Sequence, residues 1–140
     1  MIYVDTSVWV ALLTQEKGTL RVEQWFGSND EPLISADWTL TEFHSAIAIK
    51  IRTGQMTAEQ AEKALALFER LSVGGLTLVA VSRTAYRAAA DLVDDYHQGL
   101  RGADALHLAV AQELGVQRFA TLDRNQAVNA QRVGLTRELE

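Results

Sequence analysis

The sequence contains no cysteine and a single proline, Pro32. Without cysteine the chain has neither a disulfide framework nor a thiolate zinc site, and a reducing compartment is compatible with this composition. No apolar stretch approaches the roughly 18 uninterrupted residues of a membrane span, and the N-terminus lacks the basic and long apolar segments of a signal peptide. These absences predict a cytoplasmic protein with no membrane partner.

Positive charge is also scarce, because 13 Lys and Arg residues face 18 Asp and Glu residues, for a net charge of -5. This balance argues against broad, charge-driven adhesion to nucleic acid or to anionic membranes. A nucleic-acid substrate would therefore need help from cations. The chain has 140 residues, of which 48% are hydrophobic, and this predicts a single domain over residues 1–140 with a substantial core.

Short apolar runs alternate with helical patterns along the chain. The runs typical of buried strands are "IYVD", "LISA", "LTLVAV" and "FATL". The clearest helical segment is "TAEQAEKALALFERL", which opens with a capping-box pattern at Thr57 and Gln60. Two further helical segments are "SRTAYRAAADLVDDYH" and "ADALHLAVAQEL". This alternation predicts an α/β protein, a three-layer α/β/α sandwich around a central parallel sheet.

Four acidic residues lie where such a fold binds ligands, at the carboxyl ends of its strands. Asp5 closes the first strand run, and Asp123 follows the fourth. Glu42, in "DWTLTEFHSAIAIK", and Asp104, in "RGADALHLAV", lie near helix starts. These four acids form the candidate site.

Each acid also has a purely structural explanation. Asp5 and Asp123 suit helix N-caps, Thr39 and Glu42 have capping-box spacing, and Asp104 in a first helical turn would complement the macrodipole. Taken together, however, several acids converging on one crevice would raise one another's pKa unless a cation neutralised them. The joint pattern therefore favours a bound cation.

The available ligands indicate which cation this would be. Carboxylates without cysteine, and histidines without a His-Glu-x-x-His spacing, suit a hard ion such as Mg²⁺ or Mn²⁺ rather than zinc. Mg²⁺ keeps several waters and shares its remaining positions with substrate phosphates. The pattern thus predicts phosphodiester chemistry, in which the metal activates water and stabilises the leaving oxygen.

The residues also carry a family resemblance that spans nearly the whole chain. "MIYVDTSVW", a helix start with Trp38 and Glu42 four residues apart, "ADALHLAVA" and "FATLDRN" resemble the ordered acidic motifs of PIN-domain ribonucleases. The size of the chain and the run "DALHLA" are most similar to VapC toxins of bacterial toxin–antitoxin pairs. The resemblance implies a parallel sheet of order 3-2-1-4-5, in which the first and fourth strands lie side by side at the switch in strand order.

The resemblance further implies an activity and its residues. The activity is endonucleolytic hydrolysis of RNA by metal-activated water, which leaves a 5′-phosphate and a 3′-hydroxyl. The family's catalytic, Mg²⁺- or Mn²⁺-coordinating acids correspond to Asp5, Glu42, Asp104 and Asp123, and its supporting hydroxyls to Thr6, Ser7 and Thr121.

Partners are expected mainly from the family. VapC-like proteins form homodimers and are inhibited by a cognate VapB-like antitoxin, whose C-terminal segment wraps the toxin. The amphipathic hairpin from "FHSAIAIKI" through "AEKALALFERL" is the predicted dimer surface. The predicted contacts to the RNA backbone are Arg101, Lys50 and Arg52, and His107 is interpreted as a core or boundary residue.

Three other classes of protein are alternatives to the nuclease. A receiver-like phosphoacceptor domain needs adjacent acids after its first strand and a lysine at a late strand end, but Asp5 is followed by Thr6 and the last lysine is Lys63. A haloacid-dehalogenase-like phosphatase needs an aspartate at position 7, which is serine. The third alternative is a catalytically silent binding module whose acids are only caps and surface charge.

Overall fold

The computed structural model describes residues 1–139, which build a five-stranded parallel sheet of order β3-β2-β1-β4-β5. The strands are β1 (Ile2–Val4), β2 (Leu33–Ala36), β3 (Thr77–Val79), β4 (Arg118–Ala120) and β5 (Thr136–Arg137). The predicted parallel sheet and its strand order are confirmed. Because Val4 of β1 pairs with Ala120 of β4, the residues that follow these two strands meet at one edge of the sheet.

Seven helices flank the sheet: α1 (Thr6–Leu13), α2 (Thr19–Ser28), α3 (Trp38–Arg52), α4 (Ala58–Gly74), α5 (Arg83–Asp94), α6 (Gly102–Glu113) and α7 (Arg124–Arg132). Within residues 1–139, none of the helices has both the length and the apolar character needed to cross a bilayer.

Side-chain alternation along the strands divides the core into two layers. Ile2 and Val4 of β1 pack with residues of α1 to α4 on one face of the sheet, where Phe43 stacks on Phe68 with ring centroids 4.5 Å apart. Tyr3 points to the other face and packs with residues of α5, α6 and α7. The predicted three-layer α/β/α sandwich is therefore confirmed.

Several element boundaries differ from the sequence prediction. The run "LTLVAV" forms a strand only over Thr77–Val79, because Val79 pairs with Ala36, the last residue of its one neighbour β2. The helix predicted from "SRTAYRAAADLVDDYH" ends at Asp94, and a 3₁₀ turn over Tyr96–Gln98 follows. Gly99 then reverses the chain with a φ of 63°, a conformation that glycine adopts without a Cβ penalty.

The structural alternative for Glu42, a capping box with Thr39, does not occur. The N-cap residue of α3 is Asp37, so the helix begins at Trp38 and Glu42 lies in its second turn. The capping box at Thr57 and Gln60 is present in full at the start of α4. The Glu42 carboxylate is consequently not used for capping and extends toward the start of α1.

Candidate active site

Asp5 is the most deeply buried of the four acids, with 4% of its surface exposed. It follows β1 and is the N-cap of α1, and its Oδ1 accepts hydrogen bonds from the Ser7 N–H at 3.1 Å and the Ser7 hydroxyl at 2.5 Å. Burial raises the pKa of Asp5, and these hydrogen bonds and the nearby His107 oppose that rise without cancelling it. The fold thus keeps a carboxyl group where a charge is costly.

Two hydroxyl groups join the start of α1 to the loop after β4. The Leu122 N–H donates to Ser7 Oγ at 3.0 Å, and the Asp123 N–H donates to Thr121 Oγ1 at 3.1 Å. A side-chain hydrogen bond from Thr121 also lowers the pKa of Asp5. Ser7 and Thr121 therefore bring the Asp5 carboxylate and the Asp123 main chain into one hydrogen-bonded unit.

Asp123 is exposed and serves as the N-cap of α7, where its Oδ1 accepts the Gln126 N–H at 3.0 Å. The side chain of Gln126 does not complete a capping box. Its Nε2 donates instead to the main-chain oxygen of Asp104 at 2.9 Å. The cap of α7 is thereby connected to the first turn of α6, and this contact holds Asp104 beside Asp123.

Glu42 is held by two donors that converge on one of its oxygens. The Thr6 hydroxyl donates to Glu42 Oε1 at 2.7 Å, and His107 Nε2 lies 2.5 Å from the same atom. Because the carboxylate has no proton to give, the imidazole Nε2–H is the donor. Thr6, predicted as a supporting hydroxyl, is therefore in contact with one of the predicted acids.

The orientation of His107 is fixed in turn by the sheet. Tyr3 Oη lies 2.7 Å from His107 Nδ1 and accepts the Ala36 N–H at 3.1 Å. The phenol O–H of Tyr3 then donates to His107 Nδ1. A chain of hydrogen bonds therefore runs from the Ala36 N–H of β2 through Tyr3 and His107 to Glu42. His107 is 1% exposed, as expected for a core residue, but its contact with Glu42 was not predicted. Its three-residue spacing from Asp104, which puts both on neighbouring positions of one helix, was the available signal.

Asp104, in the first turn of α6, has its pKa raised to about 6. The largest cause is burial, followed by the negative charges of Asp123 and Asp5 and, more weakly, of Glu42. Asp104 is therefore within electrostatic reach of the other three predicted acids. The repulsion that they exert on Asp104 is the kind of imbalance that a bound cation would relieve.

An acidic crevice of about 660 Å³ opens beside these groups, and we use this name for the cavity lined by Thr6, Ser7, Glu42 and Asp123, with Glu16 and Trp38 among its other walls. Asp5 and Asp104 are not among its lining residues. Within residues 1–139 no three His, Cys, Asp or Glu side chains are already arranged to hold a metal ion. The donor set still fits Mg²⁺ or Mn²⁺, because such ions take few carboxylates and complete their coordination with water.

The three predicted contacts to the RNA backbone lie in different surroundings. Arg101 is exposed as the N-cap residue of α6, and Arg52 is exposed at the end of α3. Lys50 is only 8% exposed, and its Nζ forms an ion pair with Glu16 at 2.8 Å. Lys50 is thus a buried, paired cation rather than a mobile surface lysine.

A parallel sheet of order 3-2-1-4-5, with acids gathered where its strand order switches, defines an α/β class whose ligand site lies at that edge. The family model for the PIN domain matches residues 2–131, and the chain belongs to the PIN-domain family. No curated protein is significantly similar in sequence.

Solved structures share this fold at low sequence identity. VapC20 of Mycobacterium tuberculosis, a sarcin–ricin loop-cleaving toxin, is 22% identical with a TM-score of 0.75, and the match covers 92% of this chain and 95% of that one. FitAcB of Neisseria gonorrhoeae is 19% identical with a TM-score of 0.69, over 98% and 96% of the two chains. VapBC2 of Rickettsia felis, bound to a promoter DNA fragment, is 15% identical with a TM-score of 0.66, over 99% and 98%.

Proposed function

We propose that this protein is a divalent-metal-dependent endoribonuclease and the toxin of a toxin–antitoxin pair. The observation that carries the proposal is the electrostatic coupling of Asp104 to Asp123, Asp5 and Glu42 at the switch point of a PIN-domain sheet. A carboxylate whose pKa is raised by neighbouring acids favours a site that binds a cation together with a phosphate-bearing substrate.

In this proposal Asp5, Glu42, Asp104 and Asp123 hold one or more Mg²⁺ or Mn²⁺ ions, either directly or through water. The metal would supply a water of lowered pKa and stabilise charge on the leaving oxygen of the phosphodiester. The chain's own contribution is positioning. Ser7 fixes one oxygen of Asp5, and Thr6 and His107 fix Oε1 of Glu42. Within residues 1–139, Oε2 of Glu42 accepts no hydrogen bond.

The proposed partners follow from the fold relatives. VapC20 is described as a toxin that cleaves the sarcin–ricin loop, and the Rickettsia felis structure is a VapBC complex on promoter DNA. By analogy with these proteins, we propose RNA as the substrate and a VapB-like antitoxin as the inhibitor. The family resemblance of the sequence adds the proposal of a homodimer, in the cytoplasm.

The direct test is RNA cleavage by the purified protein. Total RNA is incubated with the wild type, Asp104→Asn and Asp91→Asn, each with Mg²⁺, with Mn²⁺ and with a chelator. Asp91 is an exposed acid on α5 and provides a matched change of charge away from the site. We expect metal-dependent, discrete fragments from the wild type and Asp91→Asn and none from Asp104→Asn.

Absence of cleavage by the wild type, or equal cleavage by Asp104→Asn, would reject the nuclease. Thermal denaturation then separates the alternatives. If millimolar Mn²⁺ raises the melting temperature of the wild type but not of Asp5→Asn, the site binds metal without cleaving RNA. If Mn²⁺ changes neither protein, the acids are caps and surface charge, as in a silent binding module.

A further inference from the structure

A second, basic crevice adjoins the acidic crevice. Its volume is about 1020 Å³, and its charged lining residues are Lys17, Arg21, Lys50, Arg124 and Glu16. Among residues 1–139, four of the 13 Lys and Arg residues of this acidic chain thus line one cavity together with a single carboxylate. A cleft lined mainly by one sign of charge focuses its electric field and attracts ions of the opposite sign.

The two crevices share a wall made by Glu16 and Leu122, which line both. Asp123 and Arg124 are consecutive residues at the start of α7, yet the first lines the acidic crevice and the second lines the basic crevice. The two crevices are therefore neighbours, and a flexible anionic polymer can extend from one into the other past Asp123 and Arg124.

Lys50 makes this shared wall compatible with an anion. Glu16 would present a negative charge to both crevices, but the buried Lys50 ammonium lies 2.8 Å from its carboxylate. Because this pair is internally balanced, the exposed side chains of Lys17 and Arg124 add positive charge to the basic crevice. Among residues 1–139 neither of these two side chains forms a salt bridge.

We infer that the basic crevice binds backbone phosphates of single-stranded RNA next to the phosphodiester held in the acidic crevice. This inference rests on the proposed function, since it extends the RNA path from that site. The basic crevice also accounts for how a chain of net charge -5 holds a polyanion, because a metal can neutralise only the acidic side. The contacts are to phosphate and sequence-independent, so they position the strand for cleavage without selecting bases.

The test measures RNA binding separately from cleavage. Binding of a labelled 12-nucleotide single-stranded RNA is followed by fluorescence anisotropy in chelator between 50 and 300 mM salt. The proteins are the full-length wild type, Lys17→Gln, Arg124→Gln, the double variant Lys17→Gln/Arg124→Gln and the charge-conserving variant Lys17→Arg. The matched control is Arg87→Gln, which removes an exposed cation from α5, on the opposite face of the sheet.

Each phosphate contact on a single strand contributes about 0.7 to the slope of log K against log salt. We therefore expect each single variant to lower the slope by about 0.7 and to bind about fivefold more weakly at 0.1 M salt. The double variant should lose about twice that slope, while Lys17→Arg and Arg87→Gln should retain the wild-type slope. Unchanged melting temperatures would assign the losses to the removed charges.

Equal slopes for all proteins, or no salt-dependent RNA binding by the wild type, would overturn the inference. Two competitors test the ligand further, each added so that its phosphate or carboxylate groups equal the RNA phosphates in concentration. The inference would be overturned if inorganic phosphate displaced the RNA, because the crevice would then hold a free anion. It would also be overturned if an Asp-rich peptide displaced the RNA, because the crevice would then hold an acidic protein segment. If the slopes fall as expected while no RNA is cleaved with Mn²⁺, the inference on phosphate binding stands and the proposed nuclease activity fails.

Discussion

Replacing Asp104 by Asn should stabilise the metal-free protein at neutral and alkaline pH. The pKa of Asp104 is raised from 3.8 to about 6 by burial and by the charges of Asp123 and Asp5. Asn keeps the size of the side chain and carries no charge at any pH. The variant therefore removes a repulsion that the wild type bears whenever Asp104 is ionised.

The pH dependence of this stabilisation follows from the linkage between proton binding and folding. A carboxyl group whose pKa is higher in the folded state favours folding below its unfolded pKa of 3.8, and this contribution is lost as the pH rises through about 6. A shift of this size corresponds to about 3 kcal/mol at full strength. Because Asp104 is partly exposed, solvent screening reduces the expected difference to about 1–2 kcal/mol above pH 7.

Thermal denaturation in chelator between pH 4 and pH 8 measures this difference. For a chain of this length, 1–2 kcal/mol corresponds to a rise in melting temperature of about 3–8 °C for Asp104→Asn at pH 8, falling to nearly zero at pH 4. Asp91→Asn should show no such pH dependence, since Asp91 is exposed on α5. An Asp104→Asn variant that is less stable than the wild type at pH 8, or equally shifted at all pH values, would refute the reasoning.

Three further outcomes test other parts of the structure. Thr57→Ala should lower the free energy of unfolding in urea by about 1 kcal/mol because it removes the capping box of α4, and an unchanged value would argue against that cap. Phe43→Ala should cost about 3–5 kcal/mol, since Phe43 is fully buried and stacked on Phe68, and a loss below 1 kcal/mol would contradict that packing. Tyr3→Phe frees the His107 ring and should weaken Mn²⁺ binding in calorimetry about tenfold, whereas unchanged affinity would exclude a positioning role.

The sequence predicts the sheet well because its signals are local and agree with one another. The residues of β1 and β2 are all buried and mostly apolar, and Phe119 and Ala120 of β4 are buried too. The helices between the strands carry caps such as Thr57 and Ser82. β5 has only two residues, Thr136 and Arg137, and no apolar run marks it in the sequence. It pairs because β4 offers an open edge, which is a tertiary condition that local patterns do not carry.

In the candidate site, too, the sequence predicts features with local signals but not contacts between distant parts of the chain. Asp5 and Asp123 were predictable from their place after apolar strands, and both also have the capping contacts expected of them. The contact between Glu42 and His107 joins α3 to α6 through residues 65 positions apart in sequence. The spacing of His107 from Asp104 puts it near the site, but no local pattern could predict that its partner is Glu42. The basic crevice was missed for this reason too, because Lys17, Lys50 and Arg124 come from three separate parts of the chain.

Capping and metal binding are compatible roles for the same acids. A helix N-cap uses a side-chain oxygen to accept a main-chain N–H, as Oδ1 of Asp5 and of Asp123 do. The cap fixes the position of the carboxylate at modest energetic gain, while burial and repulsion among the acids raise the free energy of the charged state. A helix cap alone has no need for a neighbouring Glu42 held by Thr6 and His107. The excess of positioned negative charge over what capping requires is therefore the structural argument for a cation at this edge of the sheet.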